Sequence, residues 1–167
     1  VDGLSLVESL GFGVRVLVGG AWGFAASRLL TLAEADRVAG QAVQIARASA
    51  SVPGGPLSLG PPVTSRGAYT TPIQIDPFTI STEAKLDLLF RADSAMARAE
   101  RAGRGPARSL VRHGSLVFTR ERKFFANSEG ARLEQTLSEA GGGILATAVS
   151  ADDVQRRSYP NSAERQQ

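Results

Sequence analysis

Apolar and polar residues alternate along the first part of the chain. Leu4 and Leu6 are separated by Ser5, and Val7 and Glu8 follow. Phe12, Val14, Val16 and Val18 then alternate with Gly13, Arg15 and Leu17. A period of two is the mark of a strand with one face buried. Gly19-Gly20 supplies two adjacent residues that tolerate positive φ, the requirement of a two-residue hairpin turn, and Ala21–Ser27 is predicted to return antiparallel. Residues 1–27 therefore read as three short strands. Gly11-Phe12-Gly13 and Gly19-Gly20 do not form a dinucleotide fingerprint, because no helix opens behind them at the required spacing.

The period then changes. Thr31-Leu32-Ala33-Glu34 is a capping-box pattern, and Leu32, Ala35, Val38, Ala39, Ala42, Val43 and Ala46 recur every three or four residues. A helix over about 32–50 with a small-residue stripe follows, able to approach a sheet closely. Residues 51–80 hold six of the eight prolines (Pro53, Pro56, Pro61, Pro62, Pro72 and Pro77), which favours an extended connector anchored near Tyr69–Pro72 and Ile75–Phe78. Ser81 is placed to N-cap a second helix over about 82–102, with Glu83 in its first turn and Leu86, Leu89, Phe90, Met96 and Ala97 as its buried face. Gly103 ends it, and a turn runs to Pro106.

Beyond that turn alternation resumes. Strands are predicted at 109–113 and 116–119, singly or as one, at 123–128 and at 132–138. Asn127-Ser128-Glu129-Gly130 joins the last two as a hairpin. Gly141-Gly142-Gly143 reads as a loop or bulge, 144–150 as a last strand, and the chain from Ala151 onward as a fraying tail. The fold class is α+β: a mixed, largely antiparallel sheet packed against two helices.

Composition narrows the chemistry. The 167 residues include no cysteine and one histidine, His113. Disulfides, thiolate nucleophiles, iron–sulfur clusters and cysteine or two-histidine zinc sites are thereby excluded within these residues. No apolar run approaches the roughly 20 residues that span a bilayer, and the start Val1-Asp2-Gly3 lacks a signal-peptide pattern, so the expected address is cytoplasmic. A start without methionine, moving directly into a strand pattern, suggests a segment of a longer polypeptide.

The net charge of +3 is unevenly placed, since residues 91–123 carry nine Arg and Lys against three acids. That stretch (Arg98, Arg101, Arg104, Arg108, Arg112, Arg120, Arg122 and Lys123 among it) could neutralise phosphates, which leaves a nucleic-acid-binding or regulatory and dimerisation module as an alternative function. It is also what a solvated helix end and strand ends look like, and the aromatic interleaving of a nucleic-acid reader is sparse.

His113 has no serine or aspartate at a telling spacing, and the neighbouring Asp152 and Asp153 point to opposite sides of an extended chain, so neither carries a catalytic assignment. Trp22 and Phe24 share one face of a strand. Two readings stay open for them: a core plug, the commoner fate of such a pair, or the floor of a peptide groove. Gly23 and Gly13 are interior-strand glycines of the kind that admit another backbone.

Taken in order, Gly11-Phe12-Gly13-Val14-Arg15-Val16, Gly23-Phe24-Ala25, the Thr31-initiated Ala-rich helix, Asp76-Pro77 with Ser81 and Lys85-Leu86, and Asn127-Ser128-Glu129-Gly130 resemble the amino-terminal region of the TldD/PmbA family. The likeness runs from about Asp2 to Ser158, and Arg156–Asn161 resembles the TldD branch more than the PmbA (TldE) branch. It implies residues 1–158 as an amino-terminal α/β domain, with 159–167 a tail or linker to a carboxy-terminal catalytic domain.

The implied activity is a metalloprotease, a hydrolase of unfolded or flexible peptides, acting as a dimer with a TldE/PmbA-like subunit or with a second copy. The implied cofactor is a zinc-type divalent metal held by a His-Glu-x-x-x-His motif and a cysteine. None of that motif lies in these residues, so the expectation is a non-catalytic part, inactive alone, binding no metal, membrane or nucleic acid. The family is also called a modulator of DNA gyrase, a name that gives no reason to assign DNA binding here.

Overall fold

The computed structural model describes residues 3–52, 57, 59–102 and 109–160. Pro53, Pro56, the Gly103–Pro106 turn and the tail from Asn161 lie outside them. The chain divides into two compact units, Val1–Pro62 and Val63–Gln167.

In the first unit, β1 (Phe12–Val18) and β2 (Ala21–Ser27) form an antiparallel hairpin, followed by α1 (Leu32–Ser49). Gly19 and Gly20 sit at φ +58° and +79°, a backbone that side chains resist, so the glycine pair sets the turn. Thr31 caps α1, its hydroxyl oxygen accepting from the Glu34 N–H at 3.2 Å. Val38, Ala42 and Ala46, four residues apart, are the fully buried face of the helix. They pack on β2 with Ala25, while Phe12, Val14 and Val16 close the same small core.

Gly23 makes this contact possible. A Cβ there would collide with the Ala42 carbonyl oxygen and lie 2.6 Å from the Ala46 nitrogen. The predicted strand over Leu4–Glu8 does not form. Alternation supplies a face but no hydrogen-bonding neighbour, and none pairs with this segment among the described residues.

The second unit holds β3 (Arg66–Thr70), α2 (Thr82–Ala102), β4 (Ser109–Ala126), β5 (Arg132–Val149) and β6 (Val154–Tyr159). The sheet order is β3-β5-β4, with β6 also on β5; β3 runs parallel to β5, and the other pairings are antiparallel. Asn127 stitches the β4–β5 turn, its side-chain oxygen accepting from Ala131 N–H at 2.8 Å, with Gly130 at φ +104°.

Three expectations change here. The strands predicted in pieces before the turn are one strand, β4. Gly141-Gly142-Gly143 is part of β5 rather than a loop, because a side chain at 142 would press on the Leu116 side chain at 2.6 Å and the Ser115 oxygen at 2.8 Å across the pair. The tail from Ala151 orders as β6, since β5 offers its second edge to Val154–Tyr159.

Ser81 caps α2, its hydroxyl accepting from the Ala84 N–H at 3.2 Å. The half-buried stripe of α2 is Leu86, Leu89, Ala92, Met96 and Ala97, and no residue of the helix is fully buried. Phe90, expected on that face, is 56% exposed. One position beyond Leu89 is about 100° around the helix, which takes it off the stripe. The α+β class holds, with the strands divided between a hairpin that carries α1 and a larger sheet that carries α2.

Candidate functional site

The outward face of the β1–β2 hairpin is built by alternation. With α1 covering one side, β1 turns Gly13 and Arg15 outward and β2 turns Trp22, Phe24 and Ala26 outward, with Leu17 half-buried opposite Trp22. Trp22 and Phe24 are 41% and 60% exposed, on the face of the hairpin away from α1. The inner face is reserved for Gly23 and Ala25 because α1 comes too close for anything larger. The Arg15 guanidinium stacks on Trp22, 4.8 Å from the ring centre. Phe24 leans across Gly13, where a Cβ would meet the ring at 2.7 Å. A shallow open groove of about 550 Å³ runs past Gly13, Phe24, Ala26, Ser27 and Arg28. Each strand of this hairpin has a single neighbour, so both outer edges keep unpaired N–H and C=O groups among the described residues.

Arg15 and Arg28 have no acidic partner among the described residues. The acid near this end of β2, Glu34, is already taken. It accepts from Arg37 through two nitrogens at 2.8 and 2.7 Å, and these bonds, together with one to Ser27, hold its carboxyl down to about 2.

The cations of β4 behave differently. Arg112 reaches from β4 to Asp93 at 2.8 Å and Glu100 at 2.7 Å on α2. Arg120 pairs with Asp76 and lies over Phe78, Arg122 pairs with Glu134 at 2.8 Å, and Lys123 with Glu121 at 3.0 Å. The hydrogen bond from Arg120, reinforced by the Phe78 N–H, lowers the Asp76 pKa. The β4 part of the run that looks like a phosphate-binding stripe is thus neutralised by acids of α2, β4, β5 and the connector, while Arg98 and Arg101 have no ion pair among the described residues and Arg104 and Arg108 lie outside them.

Trp22 and Phe24 were legible in the sequence; Arg15 and Arg28 were not. The signal for Arg15 was present, since a two-residue Gly19-Gly20 turn sets Arg15 opposite Phe24. His113 is exposed on β4. Asp153 is used in the turn before β6, accepting from the Val154 N–H at 2.8 Å and from Gln155 at 2.8 Å.

Residues 1–46 match the PmbA/TldA metallopeptidase domain 1, and residues 75–165, more than half of the chain, match the PmbA/TldA metallopeptidase central domain. The chain belongs to the PmbA/TldD metallopeptidase family. These matches do not separate the TldD branch from the PmbA branch. No curated protein and no solved structure matches the chain. The PmbA/TldD class implies a divalent metal, and the residues described here do not fit one: no group of three or more His, Cys, Asp or Glu could hold an ion among them. No helix among the described residues is long and apolar enough to cross a membrane.

Proposed function

We propose that this chain is the amino-terminal, non-catalytic part of a PmbA/TldD metallopeptidase, and that it holds extended, unfolded peptide for cleavage by residues outside it. The observation that carries the reading is the hairpin, where two strand edges, unpaired among the described residues, flank an exposed Trp22–Phe24 face. Edge pairing recognises backbone and tolerates any sequence, which suits an unfolded substrate, and exposed aromatics add apolar contact. The edge of β4, 18 residues long and unpaired among the described residues, is the surface we assign to subunit association, with a PmbA-like partner or a second copy.

Hydrogen exchange tests this directly. Adding a permanently unfolded polypeptide is expected to slow exchange at hairpin amides 12–27, and zinc added to the chain alone is expected to produce no cleavage. Unchanged exchange at saturating polypeptide would remove the peptide-holding role. Zinc-dependent cleavage by the chain alone would remove the non-catalytic assignment.

A further inference from the structure

The charge on the hairpin face points beyond sequence-tolerant binding. We infer that the outward face of β1–β2 selects acidic extended peptide, with Trp22 and Phe24 seating an apolar side chain and Arg15 and Arg28 meeting carboxylates on either side of it. The inference rests on the peptide-holding reading above and names the class of peptide.

On β4, Arg112, Arg120, Arg122 and Lys123 all have acids within salt-bridge distance. On the hairpin, Arg15 and Arg28 have none among the described residues, although Glu34 belongs to the same unit. Glu34 is committed to Arg37, whose guanidinium offsets its charge, and to Ser27. Arg15 is also held in place, because stacking on Trp22 restricts its planar guanidinium and presents its N–H donors. Arg28 lines the same groove as Phe24 and Ala26. An incoming acidic peptide therefore finds partly pre-organised donors beside an aromatic floor, and its backbone finds a strand edge with no partner among the described residues.

Nucleic acid fits less well. It has no backbone N–H to pair with a strand edge, and two arginines neutralise few phosphates.

Trp22 is the single tryptophan of the chain, so its fluorescence reports on this face alone. The test titrates the 167-residue chain at low salt with three short blocked peptides that lack tryptophan. Each carries one central phenylalanine, flanked by glutamates, by glutamines or by lysines; oligothymidylate is a fourth titrant. The expected result is an acidic peptide bound about tenfold more tightly than its glutamine counterpart, and the lysine peptide bound more weakly than either. Arg15→Gln with Arg28→Gln should erase the preference while leaving the glutamine peptide's affinity in place, and Arg15→Lys with Arg28→Lys should restore most of it.

Equal affinity for all three peptides would overturn the selection and leave peptide holding intact. A Trp22 signal that no peptide moves would overturn both. Oligothymidylate bound more tightly than the acidic peptide would also overturn the inference, assigning the face to nucleic acid.

Discussion

Replacing Gly23 by alanine tests whether α1 is seated on β2 by the absence of a side chain. The added methyl would collide with the Ala42 carbonyl oxygen and lie 2.6 Å from the Ala46 nitrogen and 2.9 Å from its Cβ. Favourable contacts between carbons run at about 3.5–4.0 Å, so the helix must retreat by roughly 1 Å. The obstructing atoms are mostly helix main chain, which cannot rotate aside, and a retreat loosens Val38, Ala42 and Ala46 together.

Overpacking of a core costs about 1–3 kcal/mol, and rigid obstacles put this site at the upper end. Alanine recovers about 0.5–1 kcal/mol by restricting the unfolded chain, leaving a net loss of about 2 kcal/mol. In a unit spanning Val1–Pro62 that lowers the melting temperature by roughly 8–16 °C. Trp22 fluorescence follows the melting of this unit, and circular dichroism follows both units.

Gly40→Ala is the control. Gly40 lies within α1, and a Cβ at that position would have no neighbouring atom within 4 Å, so alanine should stabilise by about 0.5–1 kcal/mol. A Gly23→Ala protein that melts within about 2 °C of the parent would refute the close-approach account.

Removing the Thr31 cap by Thr31→Ala should cost about 1 kcal/mol in urea unfolding, since the Glu34 N–H loses its acceptor. The Glu34 carboxyl is held down to about 2 in the folded state against an ordinary value of 4.5. A lowered folded-state pKa gives stability that is present above the unfolded value and lost as pH falls through the folded one. The stability of the first unit should therefore fall between about pH 4.5 and 2, and Glu34→Gln should flatten that slope; an unchanged slope would dismiss Glu34 as its source. A double-mutant cycle of Arg112→Met with Asp93→Asn should give a favourable coupling for the tie between α2 and β4, and a coupling of zero would dismiss that pair as a tie. With Arg112, Arg120, Arg122 and Lys123 paired to acids, this stretch should not give steeply salt-dependent DNA binding; a log–log salt slope of several units would revive the nucleic-acid reading.

The legible parts of this chain are those in which a residue acts on its immediate neighbours. The Gly19-Gly20 turn, the Thr31 and Ser81 caps and the turn at Asn127 are local backbone chemistry, and each stands where the sequence places it. The three glycines at 141–143 misled because local flexibility and tight cross-strand packing select the same residue, and only the partner strand tells them apart. Leu4–Glu8 and Val154–Tyr159 misled in opposite senses. Both depend on whether another strand lies alongside: β5 supplies one to the second, and among the described residues none pairs with the first.

The candidate site divides the same way. Sequence alone determined that Trp22 and Phe24 share a face, that the helices fall near 32–50 and 82–102, and that no cysteine or second histidine can furnish a metal site within these residues. Only the tertiary structure decided which face of the hairpin is covered, because that depends on α1 approaching at Gly23. It also decided which arginines are neutralised: acids distant in sequence pair with those on β4, while Arg15 and Arg28 stand beside the aromatics with no acid among the described residues. Periodicity and capping are short-range properties of a chain, whereas burial and charge pairing belong to contacts that exist only once it has folded.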